Sequence, residues 1–328
     1  TGVVHIAPGC GKEDFDLGKE QKLPILMPID ESGIYVSGYG FLTGQPAAKV
    51  ADQVLENLRQ KGIYYKKEKF KHDYPHCWRC GAPLLFRAVD EWYINMSWRN
   101  EIMEVVKKIR WIPEWGKDQE LNWLENMHDW MISKKRFWGL ALPIFECSCG
   151  WFDVIGGYDE LKQRAVEGWD KFKGQSPHRP WVDAIRIKCE KCGGLAKRIP
   201  DVGNPWLDAG IVPYSTVKYN TDRDYWKKWI PADLVLECFP GQFRNWFYAL
   251  LSMSTMMENQ RPFKTLLGHA LVRDENGQEM HKSTGNAIWF DEAAEKMGAD
   301  VMRWIYCNHN PTNNLNFGYT IGDQVRRR

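Results

Sequence analysis

Apolar and polar positions follow two rhythms along this chain. "QPAAKVADQVLENLRQKG" places its apolar residues at helical spacing, which predicts a helix within 45–62 that stops at Gly62. "RNEIMEVVKKI" and "DQELNWLENMHDWMIS" predict two more amphipathic helices, within 99–109 and 118–133, and "YDELKQRAVEGWDKF" predicts another within 158–172. "GVVHIAP" reads as a buried strand, followed by the glycine-bearing turn of "GCGKEDFD". The last third changes type. Strand "DLVLECF" precedes helix "GQFRNWFYALLSMSTMME", strand "TLLGHALV" precedes a tight turn at Asn276-Gly277, and helix "DEAAEKMGADVMRWIYC" follows. Strands and helices alternating at this spacing predict an α/β fold with a parallel sheet.

The 328 residues allow two or three domains and a substantial core. Hydrophobic content of 44% and charged content of 26% describe a globular chain rather than a disordered or fibrous one. No apolar run approaches the roughly 20 residues that cross a bilayer, and no signal peptide is seen, so a membrane partner is not expected. A net charge of +2 means that a polyanion is held by local patches, of which "YYKKEKFKH", "SKKRFWG" and "VRRR" are candidates. The chain opens on "TGVVHIAP" without methionine and stops on "RRR"; it is expected to be an internal piece of a longer protein.

Six of the nine cysteines fall in close pairs, which in a chain without a secretory signal favours metal binding and a cytoplasmic setting. "ECSCG" and "CEKCGG" supply Cys147, Cys149, Cys189 and Cys192, four thiolates for a closed, structural tetrahedral zinc site. "PHCWRCG" carries a second knuckle at Cys77 and Cys80. Its further ligands lie upstream of Thr1, or His72 and His76 contribute, or it binds nothing.

Two stretches suit a ligand with phosphates. "LVLECFPGQFRNWF" sets a strand end, a Pro-Gly turn and a helix start in succession, so that Glu237 and Gln242 face a ligand with Trp246 one turn on. An ordinary strand–helix connection reads equally well there. "DENGQEMHKSTGN" puts Lys282 and Ser283 on a loop with little apolar anchoring, where a lysine could neutralise charge developing on a phosphate. The plain alternative is a solvated loop lysine.

Together these stretches resemble the class I aminoacyl-tRNA synthetases. "MHKSTGN" is similar to their Lys-Met-Ser-Lys-Ser signature, and "TGVVHIAPGCGKEDFD", "ISKKRFWG", "PDVGNPWLDAG", "GQFRNWF" and "KMGADVMRW" occur in the order that family uses. His5 within "VVHIAP" favours the isoleucine-specific branch over the valine and leucine branches. The resemblance implies activation of isoleucine by ATP and Mg2+ and transfer of the acyl group to tRNA(Ile), with hydrolytic editing of mischarged valine. The motive for editing is that one methylene supplies only about 1–3 kcal/mol of discrimination; the handling of this limit by isoleucine enzymes is an established example. It implies further that Lys282, with Ser283 and His281, stabilises the α-phosphate. Trp206 and Trp246 would line the side-chain pocket, Glu237 and Gln242 would meet amino acid and nucleotide, and His5 and Asp14 would belong to the editing pocket. Locally, Asp14 also reads as an acidic residue opening a helix.

Several positions depart from the family pattern. Glu279 and His281 replace the signature's first lysine and serine, Gly241 stands where many members carry aspartate, Asn245 replaces glycine, and Ala209 replaces serine. The other class I signature, His-Ile-Gly-His, does not occur in the 328 residues, so the chain alone is expected not to form adenylate.

The implied layout is part of a β-rich editing domain over 1–71 and a zinc knuckle with a helical return over 72–140. A zinc-binding insertion follows over 141–200, then the second half of a Rossmann-like catalytic domain over 201–310, and the start of a helical stem over 311–328. The complete enzyme is expected to be a monomer. Competing readings are a valine-specific relative, a non-catalytic zinc-knuckle module that binds tRNA, and a free-standing hydrolase acting through His5 and Asp14.

Overall fold

The computed structural model describes residues 2–77 and 80–327, so Thr1 and Arg328, at the ends of two quoted motifs, lie outside the described residues. The chain divides into two compact units, 1–90 and 91–328. The first contains two α-helices, Lys12–Glu20 and Ala51–Gln60, with Gly62 adopting φ 69° just past the second. Its β character is confined, among the described residues, to isolated antiparallel bridges such as Ile29 with Tyr35. "GVVHIAP" is not a buried strand: Val3 and Val4 are exposed and no strand is assigned there. A strand must hand its N–H and C=O groups to a neighbour, and no described segment pairs with this one.

The second unit is built on a parallel sheet in the order Ala232–Cys238, Phe263–His269, Arg110–Ile112. The expected alternation is realised here, since the helix Trp246–Glu258 connects the first two of these strands. That helix is buried along most of its length, from Phe247 to Thr255, and packs with the helix Arg99–Lys107 around Ile102, Val105, Val106 and Leu251. One close approach fixes the sheet's end. A Cβ on Gly268 would lie 1.9 Å from the ring of Phe239, and one on Gly116 would lie 2.6 Å from the same ring. Phe239 is therefore wedged between strand and helix at two positions where only hydrogen fits.

Three expected helices are shorter or broken. The helix Trp115–Asn126 ends early, because Trp130–Met131 and Ser133–Lys134 are short strands paired with Tyr93–Ile94 and Val202–Gly203. The stretch 158–172 splits into Tyr158–Arg164 and Trp169–Phe172 around a strand, Ala165–Glu167. Gly168 makes the break, with φ 79° and no room for a Cβ, which would sit 1.9 Å from Ala184 O. Gly298, at φ 90°, likewise separates Phe290–Met297 from Ala299–Cys307. Helical periodicity persists across such breaks because both flanking segments bury one face, while the glycine conformation ends the hydrogen-bond ladder.

Within this unit, 141–200 forms an antiparallel five-stranded sheet with its own core of Phe145, Leu161, Phe172, Ile185 and Ile187. The final helix, Tyr319–Arg326, packs with Phe290–Met297 and Ala299–Cys307 around Met297, Met302 and Phe317.

Candidate functional site

The loop that carries Lys282 leaves the carboxyl end of the parallel strand Phe263–His269 through the short strand Val272–Arg273. Asp274 makes the turn, accepting from the N–H groups of Asn276 at 2.9 Å and Gln278 at 2.8 Å. Asn286 then closes it. Its Nδ2 donates to Asp274 Oδ2 at 2.9 Å and to Glu279 O at 3.0 Å, and its Oδ1 accepts from the His281 N–H at 2.9 Å and from Thr284 Oγ1 at 2.6 Å. The Asn286 amide, together with those N–H groups, holds the Asp274 carboxyl below its ordinary range. Between the clasped ends, Lys282–Thr284 is one 3-10 turn, closed by Gly285 at φ 74°.

The Lys282 ammonium is exposed and rests over the Trp289 ring, 4.7 Å from its centroid. His281 Nε2 lies 3.5 Å from Glu279 Oε2, and Ser283 is exposed beside them. Burial pushes the Cys238 thiol up, and the charges of Glu237 and of Glu279 add to the effect.

At the carboxyl end of the strand Ala232–Cys238, Glu237 and Cys238 stand opposite Gly268 and His269 in register, and Glu237 Oε1 accepts from the Cys238 N–H at 2.8 Å. Gln242 lies in a 3-10 turn after Gly241, whose φ is 85°, and its Oε1 accepts from the Trp246 N–H at 3.2 Å. Gln242 thus satisfies a donor at the start of the following helix. Trp206 is seated by Asn204, whose Oδ1 accepts from the Trp206 N–H at 3.0 Å while its Nδ2 donates to Met131 O at 3.2 Å. The short helix that bears Trp206 approaches the helix that Trp246 begins, since a Cβ on Gly210 would lie 2.8 Å from Ala249 O.

Trp206 borders a cavity of about 530 Å³ whose walls include Trp130, Lys134, Arg136, Arg244 and Tyr248. Trp246, Glu237 and Gln242 are not among its lining residues, although Asn245 is. The cations Lys134, Arg136 and Arg244 were not singled out from the sequence; the basic run in "SKKRFWG" held the signal for two of them. In the helix Trp115–Asn126, Glu120 is fully buried and neither carboxylate oxygen has a hydrogen-bond partner among the described residues. Burial raises its pKa well above the ordinary value. Tyr248 is pushed up as well, by burial first and by the Glu120 charge among the lesser causes.

The four cysteines of the insertion meet. Their sulfurs lie within 4.8 Å of one another, with Cys147 and Cys192 at 3.5 Å and Cys149 and Cys189 at 3.6 Å. A tetrahedral zinc with bonds of about 2.3 Å places its sulfurs roughly 3.8 Å apart, so the set fits that ion. Two hairpin turns present them. Cys147 N–H donates to Trp151 O at 2.8 Å, and Cys189 N–H to Gly194 O at 2.7 Å, with Gly150 and Gly193 at positive φ. The N–H of Cys149 draws the Cys147 thiol down to about 7. Cys192 meets the Gly194 N–H, yet the other three cysteines push it to about 12. A bound cation would offset this mutual repulsion and let all four sulfurs ionise.

Cys77 repeats the geometry of Cys189, its N–H donating to Ala82 O at 2.8 Å and Gly81 N–H returning to Cys77 O at 2.8 Å, with Gly81 at φ 71°. Among the described residues, the insertion set is the only gathering of three or more potential metal ligands, and His72 and His76 instead hold the carbonyls of Asp73 and Tyr74. Elsewhere in the first unit, His5 is exposed, and Asp14, in the first turn of its helix, accepts from the Ala7 N–H at 2.9 Å. Asp14 thus both opens a helix and ties down the segment that carries His5.

A family model described as tRNA synthetases class I (I, L, M and V) matches residues 19–318. The chain is 35% identical over 330 residues to the isoleucine–tRNA ligase of Methanothermobacter thermautotrophicus, covering 99% of this chain and 31% of that relative. It is 36% identical over 332 residues to that of Sulfolobus acidocaldarius, covering 100% of this chain and 31% of the relative. The chain therefore spans about a third of the length of the curated relatives it matches. A solved methionyl-tRNA synthetase from Mycobacterium tuberculosis, in complex with methionyl-adenylate, aligns at a TM-score of 0.48 and 14% identity over 77% of this chain and 40% of that one.

Proposed function

Since the chain belongs to the class I tRNA synthetases of the I, L, M and V group, we propose that it serves the ATP-dependent activation of isoleucine and its transfer to tRNA(Ile). The observation that carries this reading is the Asn286 clasp, which holds a one-turn lysine loop just beyond the carboxyl end of a parallel strand. That is where an open α/β sheet receives a nucleotide.

In the first step the isoleucine carboxylate attacks the α-phosphorus of ATP, pyrophosphate leaves, and negative charge grows on the phosphate oxygens. Lys282 supplies positive charge there, with His281 and Ser283 as added donors, and Mg2+ would neutralise the same oxygens. Release from Trp289 costs Lys282 little, because an exposed cation–π contact stabilises by only about 0.5–1 kcal/mol. Glu237 and Gln242 orient the amino acid and nucleotide, and Trp206 and Trp246 contact the isoleucine side chain. In the second step the acyl group passes to the tRNA hydroxyl and AMP leaves. Cys147, Cys149, Cys189 and Cys192 would hold a structural zinc, which fixes the two hairpins of the insertion and enters no step.

His5 and Asp14 we assign to the hydrolytic editing pocket, within an editing region over 1–71, and Cys77 with Cys80 to half of a second metal site completed by residues outside this chain. The further assignments are 72–140 as a return to the core, 141–200 as the insertion, 201–310 as half of the nucleotide fold and 311–328 as the start of a stem.

The test is isoleucine-dependent exchange of pyrophosphate into ATP, measured in a polypeptide that joins this chain to a His-Ile-Gly-His unit. Lys282→Ala should slow exchange by about 10²- to 10³-fold, and valine should substitute poorly for isoleucine. The 328 residues alone should leave exchange at background. Full exchange by the Lys282→Ala protein would overturn the assignment.

A further inference from the structure

The segment that carries Lys282 is fastened on both flanks to one helix. That helix, Tyr319–Arg326, follows the short strand Leu315–Asn316, which pairs in parallel with Val272–Arg273 at the start of the lysine loop. The chain enters the loop through Glu275. Its Oε1 accepts from the N–H groups of Thr320 at 2.6 Å and Ile321 at 3.2 Å, and its Oε2 accepts from Thr320 Oγ1 at 3.3 Å. A carboxylate at the first turn of a helix satisfies N–H groups that have no partner within the helix, and it meets the positive end of the dipole. The chain leaves the loop through Trp289 into the helix Phe290–Met297, and there Arg326 takes the opposite part. Its Nη2 donates to the carbonyls of Lys296 at 3.0 Å and Met297 at 2.6 Å, which the end of that helix leaves without an internal partner.

The sequence makes room for both fastenings. A Cβ on Gly318 would lie 2.0 Å from Glu275 Cγ, and a Cβ on Gly322 would lie 2.6 Å from Met297 Cγ. Residues spaced as these two glycines are share a helix face. Gly318 has extended backbone, so the close approach of Glu275, not an unusual conformation, calls for glycine there. The ring of Tyr319 adds a third contact, since the Lys296 ammonium lies over it at 5.2 Å from the centroid. Between the two fastenings stand the Asn286 clasp and Lys282 itself. A carboxylate and a guanidinium from opposite ends of the arrangement therefore bracket the one segment that must place a lysine.

We propose that Glu275 and Arg326 are positioning residues for Lys282, limiting through the helix Tyr319–Arg326 the range over which its ammonium can stand when charge grows on the phosphate. Neither touches the reacting atoms. Loss of either frees one flank of the loop, and the lysine then spends less of its time where it is needed. The catalytic consequence rests on the adenylation reading above; the fastening of the loop does not.

The test has two arms. In the 328-residue chain, Glu275→Ala and Arg326→Ala should each accelerate amide hydrogen exchange across 280–286 roughly tenfold, through loss of charge-assisted bonds. Exchange in the strands of the cysteine-bearing insertion should stay at the wild-type rate, which shows that the variants fold. Glu275→Gln keeps an acceptor oxygen and should restore most of the protection. In the polypeptide joined to a His-Ile-Gly-His unit, Glu275→Ala should lower kcat for isoleucine-dependent pyrophosphate exchange about tenfold and change KM for isoleucine by less than about twofold. With Lys282 already replaced by alanine, Glu275→Ala should lower kcat by less than about twofold, because the group it positions is gone. Unaltered hydrogen exchange across 280–286 in either variant, or a full further loss of rate in the Lys282→Ala background, would overturn the proposal. Full pyrophosphate exchange by Lys282→Ala would overturn the adenylation reading and the catalytic consequence with it, while the hydrogen-exchange arm reports on the fastening alone, so the two failures are separately visible.

Discussion

Asn286 and Asp274 are joined by a 2.9 Å hydrogen bond that closes a loop across twelve positions of sequence, and Lys282 rides on the closed segment. The amide spends both of its ends on this task, Nδ2 on Asp274 and Glu279 and Oδ1 on His281 and Thr284. No aliphatic side chain of similar size makes either pair of bonds.

Replacing Asn286 with alanine should therefore open the loop. Amide hydrogen exchange across 274–286 should accelerate at least about tenfold, given a net stabilisation of roughly 0.5–1.5 kcal/mol for each lost bond. The Asp274 carboxyl titrates below its ordinary value in the folded loop. Its contribution is thus present above the unfolded value near about 3.9 and lost as pH falls through the folded one. Exchange in the wild-type loop, corrected for its intrinsic pH dependence, should stay protected at pH 5. Equal protection in the Asn286→Ala protein would show that the clasp is idle.

Glu120 gives a pH dependence of opposite sign. Burial keeps its proton bound in the folded chain well above the ordinary value. The unfolded chain releases that proton near about pH 4.3, so stability declines as pH rises from there toward the folded value. Glu120→Gln should raise the thermal midpoint by about 2 °C or more at pH 8 and by less at pH 5. A midpoint gain that is identical at both values would remove the titration from the account.

The cysteine cluster predicts metal content. The purified chain should carry zinc by elemental analysis, and Cys189→Ser should lose one equivalent and the ordered near-ultraviolet signal of Trp151 and Trp169, which pack on the same core. Unchanged zinc in that variant would place the metal elsewhere.

Gly268→Ala tests the packing under the sheet's carboxyl end. The added methyl would meet Phe239 at 1.9 Å, which should destabilise by about 1–3 kcal/mol in denaturant titration. Phe239→Leu in the same chain should recover part of that loss. A neutral Gly268→Ala would mean that the ring moves freely.

What the sequence shows and what it hides divide along physical lines. The parallel strands around Leu236 and Leu267 were legible because each is a short apolar run bounded by turn residues. The four-cysteine site was legible because ligand spacing is local within each hairpin. The early end of the helix Trp115–Asn126 was not, since Asp129 accepts from the Met96 N–H at 2.9 Å and Ser133 from the Trp92 N–H at 2.7 Å, partners more than thirty positions away. The exposed "GVVHIAP" was misread for the complementary reason, as its apolar residues suit a strand and no described segment pairs with it. At the candidate site, Lys282 stood out through its motif. The Trp289 ring beneath it and the buried Glu120 carry no local signature, because their significance lies in what surrounds them.

The claim at the centre of this account is that the Lys282 ammonium meets the phosphates of ATP. Adenosine diphosphopyridoxal, which carries an aldehyde where the terminal phosphate would lie, labels lysines at such sites after borohydride reduction, and peptide mass spectrometry locates the label. The account predicts modification of Lys282 ahead of Lys264 and Lys296, suppressed by ATP. Label spread evenly over the surface lysines, unaffected by ATP, would contradict it.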